Sequence, residues 1–277
     1  MDNITISEDF YSIQGEGFST GVPAYFVRLR DCNLTCGASN ALVKDVKSQG
    51  EGAVDSGSFK GDLHESGKAT WTCDTIPVWT FGHKKPMDYL LNRWNEQNLI
   101  KEIAIGDIHL IWTGGEPSLP RNSKSIISFM DYFEAYCENN ELWYLPYNEI
   151  ETNGTIEMSP ELLAELSQIN CSAKLSNSGM SEQQRIVPAA IESIMSLANG
   201  NYTFKFVVSG EEDMLEAIDS YITPFNIPLS KVCIMPALDD QKDFHTKTAM
   251  CMELAKKYRV RGLTRLHVSA WDKTTGV

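Results

Sequence analysis

"DIHLIWTGGEP", residues 107–117, reads as a strand that enters a glycine-rich loop. Helical periodicity follows in "SIISFMDYFEAYC" (125–137), so strand, loop and helix make one unit. The alternation continues in both directions. Upstream, "AYFVRLR" (24–30) is a first buried strand and "MDYLLNRWNEQNLI" (87–100) a helical run. Downstream, "LPYNEIETNGT" (145–155) is a strand and loop. "SPELLAELSQ" (159–168) opens as a helix with Ser159 at the N-cap and Pro160 at the first helical position. "CSAKLS" (171–176) is a strand end, "NYTFKFVVSG" (201–210) a strand rich in β-branched and aromatic residues, and "EEDMLEAIDSYI" (211–222) a helix. "KVCIMPAL" (231–238) is a strand, "TAMCMELAKKY" (248–258) a helix, and "TRLHVSAW" (264–271) a last strand. This alternation implies an α/β fold with a parallel sheet and crossover helices, open or partly closed as a barrel. Chemistry in such folds lies at the carboxyl ends of the strands. The unusual residues fall there: Cys32, Thr113 to Glu116, Glu151 to Gly154, Ser172 to Lys174, and Met235-Pro236.

The chain has 277 residues, of which 42% are hydrophobic, enough to bury a sizeable core. Its formal charge of −13 argues against a sheath for nucleic-acid phosphates. No stretch approaches the length of a membrane-spanning apolar helix, and "MDNITISEDF" at the start is acidic and carries no apolar signal segment. A cytoplasmic protein is expected. Its seven cysteines are then thiols or metal ligands rather than a disulfide frame. Cys137, Cys171, Cys233 and Cys251 stand singly in apolar or helical contexts and are expected in the core.

Residues 37–70 break the rhythm. They are rich in Gly, Ser, Lys and acidic residues, contain no cysteine, and read as a surface insertion with a solvated His64. Removing them joins "CNLTC" to "WTCDT", a Cys-x3-Cys-x2-Cys loop of Cys32, Cys36 and Cys73. Three thiolates on one loop can hold three irons of a [4Fe–4S] cluster and leave the fourth open, whereas structural clusters take four cysteines. An open iron can bind a small molecule, much as a catalytic zinc keeps one open position. Closing a loop across the 36 residues between Cys36 and Cys73 costs roughly 2–3 kcal/mol more than across two. Metal–thiolate binding readily offsets that amount. On the cysteines alone, two other readings stay open: buried thiols with Cys73 unrelated, or a zinc site without an evident fourth ligand.

"YSIQGEG" (11–17), "FVRL" (26–29), the cysteine loop, "TGGEP" (113–117), "IETNGT" (150–155), "SAK" (172–174) and the closing "RLHVSAWDKTTGV" (265–277) together resemble the 7-carboxy-7-deazaguanine synthases. These are radical S-adenosylmethionine (SAM) enzymes of the queuosine and deazaguanine pathway. The matches run in order from about residue 8 to residue 277. The resemblance implies an incomplete (β/α) barrel of radical SAM type, a single domain over 1–277 with an insertion inside the cluster loop, often a homodimer. It implies ring contraction of 6-carboxy-5,6,7,8-tetrahydropterin to 7-carboxy-7-deazaguanine with loss of ammonia. The cofactors would be a [4Fe–4S] cluster, SAM and Mg²⁺, with a reducing partner such as flavodoxin or ferredoxin. The radical chemistry belongs to the cofactors, so no side chain is assigned as a catalyst.

By the same resemblance, Cys32, Cys36 and Cys73 ligate the cluster. Thr72, Cys73, Asp74, Gly115, Glu116, Glu151, Ser172, Ala173 and Lys174 surround SAM. The Glu116 carboxylate and nearby carbonyls would receive the SAM ammonium. Ala173 stands where the family has proline, which removes rigidity but leaves backbone contacts. Thr75 matches a magnesium ligand, and a helix N-cap is its alternative. Ile13, Gln14, Gly15, Arg28, Thr113, His267 and Val277 face the substrate, and the chemistry of Glu16 suits it to pair with the guanidine-like edge of the pterin. Arg28, in an otherwise apolar strand, needs an anionic partner: the substrate carboxylate or a nearby Asp or Glu. His267 is either a satisfied strand histidine or a substrate contact. Lys205 projects to the pocket mouth or snorkels to solvent. "WDKTTGV" carries Asp and Thr where Gly, Asn and Arg are usual. Two competing functions share some of these motifs: another radical SAM enzyme such as a glycyl-radical activase, and a non-catalytic descendant that binds pterin or SAM.

Overall fold

The structure, a computed structural model, describes residues 3–52, 69–238, 241–272 and 274. His64, Val277 and the middle of the 37–70 segment lie outside the described residues. The strands are β1 (Asn3–Ile13), β2 (Pro23–Leu29), β3 (His83–Pro86), β4 (His109–Gly114), β5 (Asn148–Thr152), β6 (Gln168–Cys171), β7 (Tyr202–Val208), β8 (Val232–Pro236) and β9 (Arg261–Gly262). They form one nine-stranded sheet in the order β3-β1-β2-β4-β5-β6-β7-β8-β9. From β2 to β9 every pair is parallel; β1 runs antiparallel to both of its neighbours. β3 and β9 are the two edges, so the sheet is an open, incomplete barrel.

Helices cover its outer face, which explains why β4 and β8 are apolar runs rather than alternating ones. Trp112 of β4 is fully buried against Phe129 of the helix Pro120–Asn139, ring centroids 5.6 Å apart. Trp94 of the helix Tyr89–Glu96 meets Phe129 and Phe133 edge-on. Cys137, Cys171, Cys233 and Cys251 are buried in the hydrophobic clusters, as expected. Ser159 caps its helix by accepting from the Leu162 N–H.

Five features differ from the sequence-based expectations. β1 precedes the strand taken as first, and β3 was not expected. The 87–100 run is interrupted, giving helices Tyr89–Glu96 and Ile100–Ala104. Residues Asn40–Gln49, inside the presumed surface insertion, form a helix capped by Ser39. Its Val46 is buried against Ile76 and Trp79. Finally, the expected last strand is a helix, Leu266–Trp271. The sheet ends at β9, and this segment does not pair with that edge. It buries Val268 and docks across the open side of the barrel, where the Leu266 N–H donates to the Gly15 carbonyl at 3.0 Å.

Candidate active site

The carboxyl ends of β2 and β4 are laced together by backbone. The Gly115 N–H donates to the Leu29 carbonyl at 2.9 Å and the Glu116 N–H to the Asp31 carbonyl at 2.8 Å. A Cβ at Gly115 would stand 1.9 Å from the Asp31 oxygen, and Gly114 holds a φ of +96°. The two glycines are therefore required first by the neighbouring strand loop, which carries Cys32. Gly115→Ala is expected to force that loop outward and to cost about 1–3 kcal/mol, the range for overpacking. Thermal unfolding of the purified variant checks this.

The 36-residue excursion between Cys36 and Cys73 returns to its own starting point. The Cys73 N–H donates to the Cys36 carbonyl at 2.9 Å, and a Cβ on Gly37 would lie 2.0 Å from the Trp71 carbonyl oxygen. All three thiols thus line one cavity of about 550 Å³. Burial pushes Cys36 up to about 12 and raises Cys32 and Cys73, and neighbouring thiols add to the rise at Cys32 and Cys36. Lys174 opposes it at Cys36 and Cys73. Such thiols are protonated unless a bound metal takes the place of the proton. Among the described residues no three His, Cys, Asp or Glu side chains close on a single metal-ion position. Three thiols facing a common cavity suit a wider body such as an iron–sulfur cube.

Glu116 is fully buried and is not among the residues that line the cavity. Its carboxylate accepts from Ser118 N–H (2.9 Å), Ser118 Oγ (2.6 Å), Thr152 Oγ1 (2.7 Å) and Asn153 N–H (2.7 Å). These bonds tie the β4 loop to the β5 loop. Four donors thus occupy a buried carboxylate.

Opposite the cysteines lies an ion-pair cluster. Glu16 accepts from Lys205 Nζ and from Arg265 Nε, the latter at 2.8 Å, and His267 Nε2 stands 3.8 Å away. Arg265 also reaches Asp74 at 2.8 Å, directly after the last cysteine of the loop. Burial alone would raise the Glu16 carboxyl, but Lys205, Arg265 and His267 hold it well below the usual carboxylate range. Burial would lower Lys205, and Glu16 and Glu151 more than reverse that. Lys205 is thus 5% exposed and paired inside the barrel; it does not snorkel. Burial also lowers His267, which sits on the last helix rather than on a strand. A Cβ on Gly15 would meet the His267 ring at 2.4 Å, so that glycine admits the helix.

Between the two groups, Glu151 accepts from Gln14 Nε2 at 3.0 Å and Thr113 Oγ1 at 2.7 Å. Arg28 lines the cavity, lies 5.0 Å over the Phe10 ring, and pairs with Glu8 at 2.7 Å. Of its two expected partners, this structure shows the protein carboxylate. Thr75 Oγ1 lies 3.2 Å from Cys73 Sγ and makes no side-chain cap. Thr72, Asp74, Ser172 and Lys174 line the cavity; Ala173 points into the core instead. Ile13, Gln14, Gly15 and Glu16 line it from the loop after β1. Neither Arg265 nor Trp71 is among the residues expected at the site. Trp71 carries Lys174 over its ring at 5.5 Å and donates to Asn177. Both residues sit inside the motifs that carry the family resemblance or the cysteine loop, which was the available signal.

No protein-family model matches the chain. It is 26% identical over 274 residues to a 7-carboxy-7-deazaguanine synthase of Pyrobaculum aerophilum, a match covering 99% of this chain and 97% of that one. It is 27% identical over 239 residues to a 7-carboxy-7-deazaguanine synthase of Leptospira interrogans, covering 84% of each. The crystal structure of QueE from Escherichia coli superposes with a TM-score of 0.55 at 22% identity, over 96% of this chain and 95% of that one, and so shares the fold. Along nearly its whole length the chain is thus similar to proteins of one name, the 7-carboxy-7-deazaguanine synthases, and it shares the fold of QueE.

Proposed function

We propose that this chain contracts 6-carboxy-5,6,7,8-tetrahydropterin to 7-carboxy-7-deazaguanine and releases ammonia. The observation that carries the reading is the convergence of Cys32, Cys36 and Cys73 on a cavity whose far wall is the Gln14–Glu16 loop. The cysteines hold a [4Fe–4S] cluster, which with SAM supplies one-electron radical chemistry to a reaction that has no net oxidation. The protein binds, orients and excludes water. Thr72, Asp74, Gly115, Ser172, Lys174 and the backbone of Ala173 form the SAM side, with Glu116 as its brace. Gln14, Gly15, Glu16, Thr113 and His267 form the substrate side with Ile13 and Arg28. Glu151 joins the two sides through its bonds to Gln14 and Thr113. Arg28 gives one guanidinium nitrogen to Glu8, which leaves further N–H donors for the substrate carboxylate.

Thr75 would supply the protein's oxygen to Mg²⁺, which favours oxygen ligands. Thr75→Ala is expected to cut turnover by about 10-fold at limiting Mg²⁺ and to recover in excess Mg²⁺, since one weak hydroxyl ligand is lost. A Mg²⁺ titration of the rate checks this. The electron comes from a carrier such as flavodoxin or ferredoxin, the protein works as a homodimer in the cytoplasm, and residues 37–70 are an insertion within one domain. No helix among the described residues is long and apolar enough to cross a membrane.

The test is anaerobic turnover with dithionite, SAM, Mg²⁺ and the carboxytetrahydropterin, read by mass spectrometry. A product lighter by ammonia is expected. A fully cluster-loaded protein that leaves the pterin unchanged would overturn the reading.

A further inference from the structure

The asparagine that follows β5 touches the cysteine loop, and its orientation is set from both ends. Asn153 Oδ1 accepts from the Thr155 N–H at 3.0 Å and from Thr155 Oγ1 at 2.6 Å. Its amide nitrogen therefore points the other way, donating to Asn33 Oδ1 at 2.9 Å and lying 3.8 Å from Cys32 Sγ. Asn33 Nδ2 donates to Thr155 Oγ1 at 2.7 Å and closes the ring. The reversed amide would set a donor against the Thr155 N–H and lone pairs against a sulfur, so hydrogen-bond chemistry decides between the two. The Asn153 backbone is held in turn by Glu116 at 2.7 Å. Asn153 is 7% exposed and lines the cavity, so water does not compete freely for its second amide hydrogen.

We propose that Asn153 donates an N–H···S hydrogen bond to the Cys32 thiolate of the bound cluster and so raises the cluster's reduction potential. The inference rests on the reading that Cys32, Cys36 and Cys73 hold a [4Fe–4S] cluster. Reduction adds negative charge that spreads onto the sulfurs, and a fixed donor stabilises the reduced form more than the oxidised one. The need for such a donor is local. The buried Glu116 carboxylate lies close enough to raise the Cys32 thiol, and its negative charge opposes adding an electron nearby. The same carboxylate holds the asparagine that counteracts it. Asn153 is a positioning and tuning residue in this scheme and touches no reacting atom.

The test is a redox titration of the anaerobically reconstituted protein, following the reduced cluster by electron paramagnetic resonance. Asn153→Asp keeps an acceptor for Thr155 and removes the donor; Asn153→Leu removes both. Each is expected to shift the midpoint potential to more negative values, the aspartate further, with wild-type iron and sulfide content. An unchanged midpoint in cluster-loaded variants would overturn the proposal. A second measurement needs no variant: wild-type protein labelled with ¹⁵N in the asparagine side-chain amides, examined by pulsed resonance. A ¹⁵N coupling to the reduced cluster is expected, and its absence overturns the proposal even where the variants do not load. Asn33 gives its labelled amide to Thr155 rather than to sulfur, so the coupling reports Asn153. Iron analysis of the wild type comes first, because a protein that loads no [4Fe–4S] cluster defeats the functional reading itself, and this proposal with it.

Discussion

Cys73→Ala protein, reconstituted anaerobically, is expected to lose turnover by at least about 10³-fold, because loss of a metal's outer partners already costs about 10–100-fold and this removes a ligand. Cys73 is the thiol that the chain brings back after its long excursion, and its backbone bonds to Cys36 at 2.9 Å. The substitution leaves those backbone bonds in place, so the folded protein should persist with less iron. Two remaining thiolates hold a cluster poorly, and a labile cluster is lost on gel filtration. Iron and sulfide analysis, visible absorbance and product mass spectrometry on one sample check the prediction together. Product formed by the variant at the wild-type rate would remove Cys73 from the site.

The second large effect is on stability. Arg265→Leu should destabilise the fold by about 3–5 kcal/mol, the range for breaking a buried ion pair, with a fall of roughly 5–10 °C in Tm. Its guanidinium bonds to Glu16, Asp74 and the Leu238 carbonyl, and its side chain is only 13% exposed. The change strips one of two cations from Glu16 and the direct ion-pair partner from Asp74. The Asp74 side chain is half exposed, so water recovers much of its share and most of the loss falls at Glu16. Arg265→Lys should recover only part, since an ammonium cannot span three acceptors as a guanidinium fork does.

The pH dependence has a definite sign. The folded Glu16 carboxyl sits below its unfolded value, so its contribution is fully present above the usual carboxylate range. It is lost as the pH falls through the depressed folded value. In Arg265→Leu this acid-side loss should shrink. Thermal unfolding from neutral to acid pH, run on both proteins, checks both statements.

Much of the scaffold was legible because strand and helix signals are local. The Thr113–Pro117 loop, the Ser159 cap and the strands at 202–208 and 232–236 depend on periodicity and turn chemistry within a few residues. β1 was hidden because "SEDF" places two acids in its middle. Asp9 in fact accepts from Tyr25 and Tyr89 and pairs with Arg93 at 3.2 Å, partners that come from distant elements. The segment 266–271 reads as a strand because "RLHVSAW" satisfies either period over so short a span; its docking through Val268 and the Leu266–Gly15 bond comes from tertiary contacts.

The sequence by itself determined the alternation of the sheet, the spacing of the three cysteines, and the set of motifs that gather at the strand ends. Those are properties of neighbours along the chain. Only the tertiary structure decided that Glu116 braces two loops, that Lys205 and Arg265 share Glu16, and that Asn153 faces Cys32 with its nitrogen. A carboxylate or amide is shaped by whichever donors reach it in space, and here they come from as far away as Glu16 and Arg265 at opposite ends of the chain.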